Sequence, residues 1–198
     1  GQAHETTYAQ ILATEIGMSG RWFGGDPYSA APTVGLNFFH PLDRRSQLRL
    51  TASASAIDNK RNRLQDGHGY TASLSYERAL SSRAGIALSV AVDRQDLRDP
   101  GYSTAGGQVT VLGYREIGAA TLIGTASYGR LEADARQFLF PLRRADNLYR
   151  VSVGATLRQF TIDEFAPLVR VIAERNGSTV DLFDYRRLRV EMGIARAF

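Results

Sequence analysis

Ten stretches of this chain alternate apolar and polar side chains residue by residue, and that rhythm narrows the choice of fold more than anything else in it. Leu48, Leu50, Ala52, Ala54 and Ala56 share one face of an extended segment whose other face carries Arg49, Thr51, Ser53 and Ser55. Tyr70, Ala72, Leu74 and Tyr76 oppose Thr71, Ser73, Ser75 and Glu77 in the same way. Ile86, Leu88, Val90 and Val92 oppose Ala87, Ser89, Ala91 and Asp93, and Tyr149, Val151, Val153 and Ala155 oppose Arg150, Ser152 and Thr156. Successive side chains of a strand point to opposite faces, so a period of two writes one apolar and one wet face. An amphipathic helix needs apolar residues three and four apart, which these segments lack.

The spacing predicts strands near 8–20, 33–40, 46–57, 69–80, 83–95, 104–115, 119–130, 147–160, 165–175 and 185–198. Connections after the odd strands read as long or turn-rich: Arg21–Pro32, Asp58–Gly67, Gln95–Ser103, Leu131–Asn147 and Asn176–Asp184. Those after the even strands read as tight: Pro41–Arg45, Ser81–Ser82, Glu116–Gly118 and Thr161–Glu164. Bacterial outer-membrane barrels have an even strand count, short periplasmic turns and longer outer loops. The expected fold is therefore an all-β, antiparallel, up-and-down transmembrane β-barrel domain over 1–198, in the outer membrane of a Gram-negative bacterium. A two-sheet sandwich of this length is the competing architecture, but it carries no such asymmetry between its two ends.

Composition agrees with this and adds limits. The chain has 198 residues and no cysteine, which suits an oxidising periplasmic route without demanding it. No run approaches eighteen apolar residues, so helical membrane spans are excluded. A mean hydropathy of -0.23 fits strands that are polar on one face. The N-terminal Gly-Gln-Ala-His-Glu-Thr-Thr lacks the charged-then-apolar pattern of a secretion signal, so the chain is expected to be processed or, preferably, a C-terminal fragment of a longer protein. Net charge is +4, and Lys60 is the only lysine. Arginine forks suit bidentate phosphate or carboxylate contacts, pointing to lipopolysaccharide and outer-membrane lipids or to an acidic client. The plainer account is coding bias plus solvated loops. Nucleic acid is not an expected partner, because no basic helix or aromatic-basic strand motif is present.

On the expected inner, wet face lie Arg49, Glu77, Asp93, Arg150, Arg158, Arg187, Arg189 and Glu191. Such charges either shape a pore that guides a client or simply pair to rigidify a small barrel; lumen substitutions tune selectivity in barrels generally. Aromatics at strand ends (Tyr70, Tyr76, Tyr114, Tyr128, Tyr149, Phe160, Tyr185, Phe198) read as interfacial girdles. In the last strand Leu188, Val190, Met192 and Ile194 recur every second residue toward a terminal Phe198, the pattern of a signal for the barrel-assembly machinery. Arg196 interrupts that apolar face.

A catalytic site is hard to assemble from this sequence. His4, His40 and His68 are the three histidines, and the pairs His68 with Asp66 and Asp181 with Asp184 are the best that an outer-membrane hydrolase would have. Each is more simply a turn residue. No glycine-rich loop precedes Lys60, and no cluster has metal-ligand spacing, so neither cofactor nor metal is expected.

The segments Phe140-Pro-Leu-Arg-Arg-Ala-Asp-Asn-Leu-Tyr149, Phe165-Ala-Pro167, Glu174-Arg-Asn-Gly-Ser178 and Leu182 through Phe198, together with Gly113–Gly118, resemble the C-terminal barrel of the surface lipoprotein assembly modifiers. These are outer-membrane translocators of the type eleven secretion system. The likeness is strongest over the last 60 residues and weaker before Leu48; Arg196 fits the family's final Arg-x-Phe. Family members carry an Asn-x-Ser element near Asn176 and Ser178, and here Gly177 and Thr179 flank that serine. The resemblance implies a non-enzymatic translocator that delivers a lipoprotein or soluble client to the cell surface. It makes Arg143, Arg144, Asn176, Ser178, Asp184 and Tyr185 candidates for client contact in the surface loops. The family barrel has fourteen strands and usually follows a helical-repeat domain, so these are expected to be its last ten. A passive porin or structural barrel is the alternative.

Overall fold

The computed structural model describes residues 10–196. Ten strands form one antiparallel sheet in chain order: β1 (Ile11–Phe23), β2 (Asp26–Pro41), β3 (Ser46–Asn59), β4 (Gly67–Ser81), β5 (Ala84–Leu97), β6 (Thr104–Ile117), β7 (Ala120–Ala133), β8 (Ala145–Leu157), β9 (Phe165–Ser178) and β10 (Tyr185–Arg196). Each pairs with its sequence neighbours, so the topology is up-and-down throughout. Among the described residues helix is confined to three single 3-10 turns, Arg63–Gln65, Arg158–Phe160 and Asp181–Phe183. Among the described residues all ten strands belong to one sheet, where a sandwich would divide them between two. Among the described residues the outer edges of β1 and β10 carry no strand partner.

The register places the two side-chain sets where the period of two puts them. Leu50 opposite Leu74, Tyr76 opposite Leu88 and Ala126 opposite Val151 lie on the apolar face. On the other face hydroxyls meet across neighbouring strands: Thr51 with Ser73 at 2.6 Å, Ser53 with Thr71 at 2.7 Å, Ser75 with Ser89 at 2.7 Å, and Thr125 with Ser152. Facing hydroxyls satisfy one another and stabilise the pair.

The apolar face is uncovered. Val153 is 60% exposed, Leu188 72% and Met192 82%, while the buried apolar residues among those described are only Ala133, Ala166, Ile172 and Val180. The chain exposes 13648 Å². A compact water-soluble chain of its mass would expose about 9,300 Å². Apolar side chains are thus gathered on one side of the sheet without being buried by the rest of the chain.

Three sequence expectations need correction. Arg21–Pro32 is not a long loop: Gly24 and Gly25, at φ +62° and +89°, make a two-residue hairpin turn, and β2 begins at Asp26. Paired left-handed residues match strand twist, so Gly-Gly turns the chain at once. β8 ends at Leu157, so Arg158 and Phe160 sit in a 3-10 turn, and the connection to β9 runs over 158–164 instead of closing tightly. That connection ends in a second left-handed pair, Asp163 and Glu164, between the bridged Ile162 and Phe165. Tyr114 and Tyr185 lie on the polar face, not in a girdle: Tyr114 covers Gly85, and Tyr185 bonds Glu174. Tyr70, Tyr128 and Tyr149 do share the apolar face near the long-loop end.

At Gly67 a Cβ would meet the Asp96 carbonyl oxygen at 2.1 Å and the Leu97 Cα at 2.8 Å. Backbone cannot yield as a side chain tip does. Gly67→Ala should therefore open the β4–β5 ladder at its end and cost about 1–3 kcal/mol, read as a lower urea midpoint by fluorescence of Trp22.

Candidate functional site

Ala133, Asp146, Glu174, Asn176 and Val180 are all buried at the long-loop end of β7–β10, and Ser103 of the β5–β6 connection is buried beside them. β8, β9 and β10 bring polar-face residues into direct opposition, Arg150 against Glu174 and Glu174 against Arg187. The Glu174 carboxylate accepts from Arg150 Nε at 2.7 Å, from Arg187 at 2.7 Å and from the Tyr185 hydroxyl at 2.5 Å. Its side chain is 1% exposed, while Arg150 and Arg187 are 41% and 48% exposed. One buried carboxylate thus serves two cations and a phenol, leaving a net positive charge on this part of the face.

Further toward the loops a second network clasps two connections together. Ser178 Oγ donates to Asp146 at 2.6 Å, and Arg144 donates to the same carboxylate at 2.6 Å. Arg144 also lies 3.7 Å over the Phe183 ring, whose edge meets Phe140 at 6.2 Å. The Thr179 hydroxyl donates to the Arg143 carbonyl at 2.7 Å and accepts from the Ala145 N–H at 2.9 Å. Asn176 Nδ2 donates to the Phe183 carbonyl at 2.7 Å. Arg175 grips Asp184 with both nitrogens, at 2.6 and 2.9 Å.

The six residues singled out for client contact are therefore brought together, and all of them bond within the chain. Arg143 pairs with Glu132 at 3.1 Å, Tyr185 with Glu174, Ser178 with Asp146, Asp184 with Arg175 and Asn176 with the Phe183 carbonyl, while the Arg143 carbonyl and the Arg144 guanidinium tie the 134–144 connection to Thr179 and Phe183 of the 179–184 connection. Beside this clasp is a cleft of about 490 Å³, lined by Asp93, Leu97, Tyr102, Leu131, Leu139 and Phe183 among others.

The expected wet-face charges are spread along the sheet. Arg49 lies 5.9 Å from the Phe39 ring, and Glu77 accepts from Gln47 at 2.7 Å. Asp93 lies over Gly106, where a Cβ would be 2.6 Å from the carboxylate. Arg189 and Arg170 approach Glu191 at 3.9 and 3.8 Å. Arg158 approaches Glu116 at 3.5 Å from its turn. Val190, Met192 and Ile194 share the apolar face of β10; Phe198, like His4, lies outside the described residues. Arg196 binds Glu164 at 2.6 Å. The hydrolase pairs are otherwise engaged: Asp66 accepts from the Asn59 N–H at 2.8 Å, His68 stacks on Tyr70, and Asp184 holds Arg175.

Sequence reasoning overlooked Asp146, Arg175 and the Arg94–Asp134 pair, whose two bonds are both 2.6 Å. Those bonds from Arg94 hold the Asp134 carboxyl below the usual carboxylate range. Arg144-x-Asp146 was findable, because residues two apart share a strand face. Arg94 with Asp134 and Arg175 with Asp184 are distant in sequence and left no such trace. Comparison with protein-family models, curated proteins and solved structures finds no match.

Glu174→Ala should leave Arg150 and Arg187 facing one another without a counter-charge. Breaking a fully buried pair costs about 3–5 kcal/mol. Both guanidiniums are more than a third exposed, so the expected loss is about 1–3 kcal/mol. Urea unfolding reads this, with Glu174→Gln falling between; an unchanged midpoint would contradict it.

Proposed function

We propose that this chain is part of a closed transmembrane β-barrel in a bacterial outer membrane, and that it acts there, without enzymatic chemistry, as a translocator of lipoprotein or soluble clients to the cell surface. The observation that carries the membrane reading is a single sheet whose apolar face is exposed along β3–β10 and whose other face holds hydroxyl ladders and ion pairs. Such a face is stable in hydrocarbon and costly in water. Backbone edges cannot remain bare in lipid, since each unpaired group there costs several kcal/mol. The reading therefore includes pairing of the β1 and β10 edges, with each other or with further strands. The lumen is the polar face, and the clasped 134–144 and 179–184 connections are on the cell surface.

The translocation role rests on the likeness of Phe140–Tyr149, Glu174–Ser178 and Leu182–Phe198 to the surface lipoprotein assembly modifiers. The clasp supports it physically, since it holds the loop end as a fixed platform with excess positive charge toward the lumen. The partners in this reading are lipopolysaccharide and outer-membrane lipids, the barrel-assembly machinery, and the client itself.

Val153→Arg on the apolar face should cost about 2–4 kcal/mol if that residue sits near mid-bilayer, whereas Ser152→Arg on the polar face should cost far less; equal tolerance in bilayer-refolded protein would defeat the membrane reading. Deleting the gene should strip client from the cell surface while leaving small-solute uptake unchanged. Loss of solute uptake with normal client display would identify a porin instead.

A further inference from the structure

Two arginines stand directly opposite one another on the apolar face at the loop end: Arg175 of β9 and Arg186 of β10. Directly opposed side chains lie about 5 Å apart at Cβ, and like charges so placed repel. Asp184 answers only one of them, gripping Arg175 with both carboxylate oxygens. Arg186 is exposed and makes no ion pair among the described residues. Two guanidiniums against one carboxylate leave a positive charge at the margin of a face otherwise suited to hydrocarbon.

Below them is a groove of about 430 Å³ whose apolar walls come from Tyr149, Val151, Ala173 and Leu188. That volume is within the range of about 300–1,000 Å³ typical of small-molecule sites. Tyr149 stands opposite Arg175 on one side and Tyr128 on the other, with the two tyrosine rings 5.0 Å apart, so phenols and guanidiniums form one row across four strands. From Leu188 the same face continues through Val190 to Met192. Charge sits at the loop end and aliphatic wall toward mid-strand, the order in which a phosphate and its acyl chains follow one another.

We propose that this groove is a binding site for a phosphate-bearing lipid, its phosphate bridging Arg175 and Arg186 and its acyl chains lying against Val151, Ala173 and Leu188. The site rests on the reading of this face as lipid-facing and adds a located, headgroup-selective contact to it. A phosphate would accept from the Arg186 fork and from the Arg175 N–H groups not turned to Asp184, which sets attraction to a shared ligand against the repulsion between the two guanidiniums. A free inorganic anion would gain the charge contacts but leave the aliphatic walls bare. An acidic protein segment would likewise need an apolar flank to match them.

The test places the full protein in phosphatidylcholine nanodiscs doped with either phosphatidic acid or diacylglycerol, and counts lipids retained after detergent release by native mass spectrometry. Phosphatidic acid should be retained about tenfold over diacylglycerol, as expected for one charge-assisted contact. Arg186→Gln should bring the two to near parity, and Arg186→Lys should keep most of the preference. Arg94→Gln, which removes an arginine elsewhere on the sheet, should leave it intact. No preference in the unaltered protein, or the same preference in Arg186→Gln, overturns the site while the membrane reading stands. Displacement by millimolar inorganic phosphate would make it a plain anion site and overturn the lipid, as would capture of an acidic peptide with equal strength from lipid-free micelles. Failure to enter the nanodisc overturns both readings together.

Discussion

Backbone pairing between consecutive strands is the interaction on which everything else in this molecule depends. β2 to β9 each have both neighbours, so their N–H and C=O groups are satisfied within the sheet. Pairing of this kind needs no hydrophobic core, which frees side chains to be sorted by face alone. The few buried apolar residues follow from that freedom. Where pairing lapses, the cause is local. Pro32 lacks an N–H, and the β2–β3 ladder skips Ala31 and Pro32 between the pairs Ala30–Asp58 and Thr33–Ser55.

The polar face divides into two regimes. Toward the middle of β3–β8, neutral hydroxyls pair with hydroxyls, giving short contacts without formal charge. Toward β8–β10, carboxylates and guanidiniums take over, with Glu174 at the most crowded point. Hydroxyl ladders tolerate changes in solvent, whereas a buried carboxylate demands its partners. On the polar face the ion pairs are thus gathered mainly in the last three strands.

Much of this was legible in the sequence because a period of two leaves little freedom. The faces occupied by Arg150 and Ser152 and by Val151 and Val153 could be read directly, and so could a tight turn after β4, expected at Ser81–Ser82 and found one residue on, between Ser81 and Ala84. Legibility failed where turn chemistry competed with composition. Gly24-Gly25-Asp26-Pro27 reads as loop, yet Gly24 and Gly25 alone reverse the chain, while Pro27 is accommodated at a register shift beside Trp22. At the far end of β8 the apolar-polar rhythm runs on through Arg158 and Phe160, but the backbone has already turned into a 3-10 segment. The candidate loop residues come together at one end of the sheet, but the bonds they make were not legible, because Ser178 and Asp146 meet across 32 residues of chain. Tyr185 was misplaced for the same reason: an aromatic at a strand end suggests an interface until its acidic neighbour on the next strand is known.

The clasp between the 134–144 and 179–184 connections has a mechanical consequence. Thr179 is hydrogen-bonded to Arg143 and Ala145, and Ser178 to Asp146, so one surface loop hangs on the other through the pair of hairpins beneath. Pulling on either must strain both, and β7 to β10 would answer a load as a single lever. At the opposite margin of the sheet the Gly24–Gly25 hairpin is held more lightly, by Arg61 of the 60–66 connection on Asp26 at 3.3 Å and by the Lys60 N–H on the Tyr28 carbonyl at 2.9 Å.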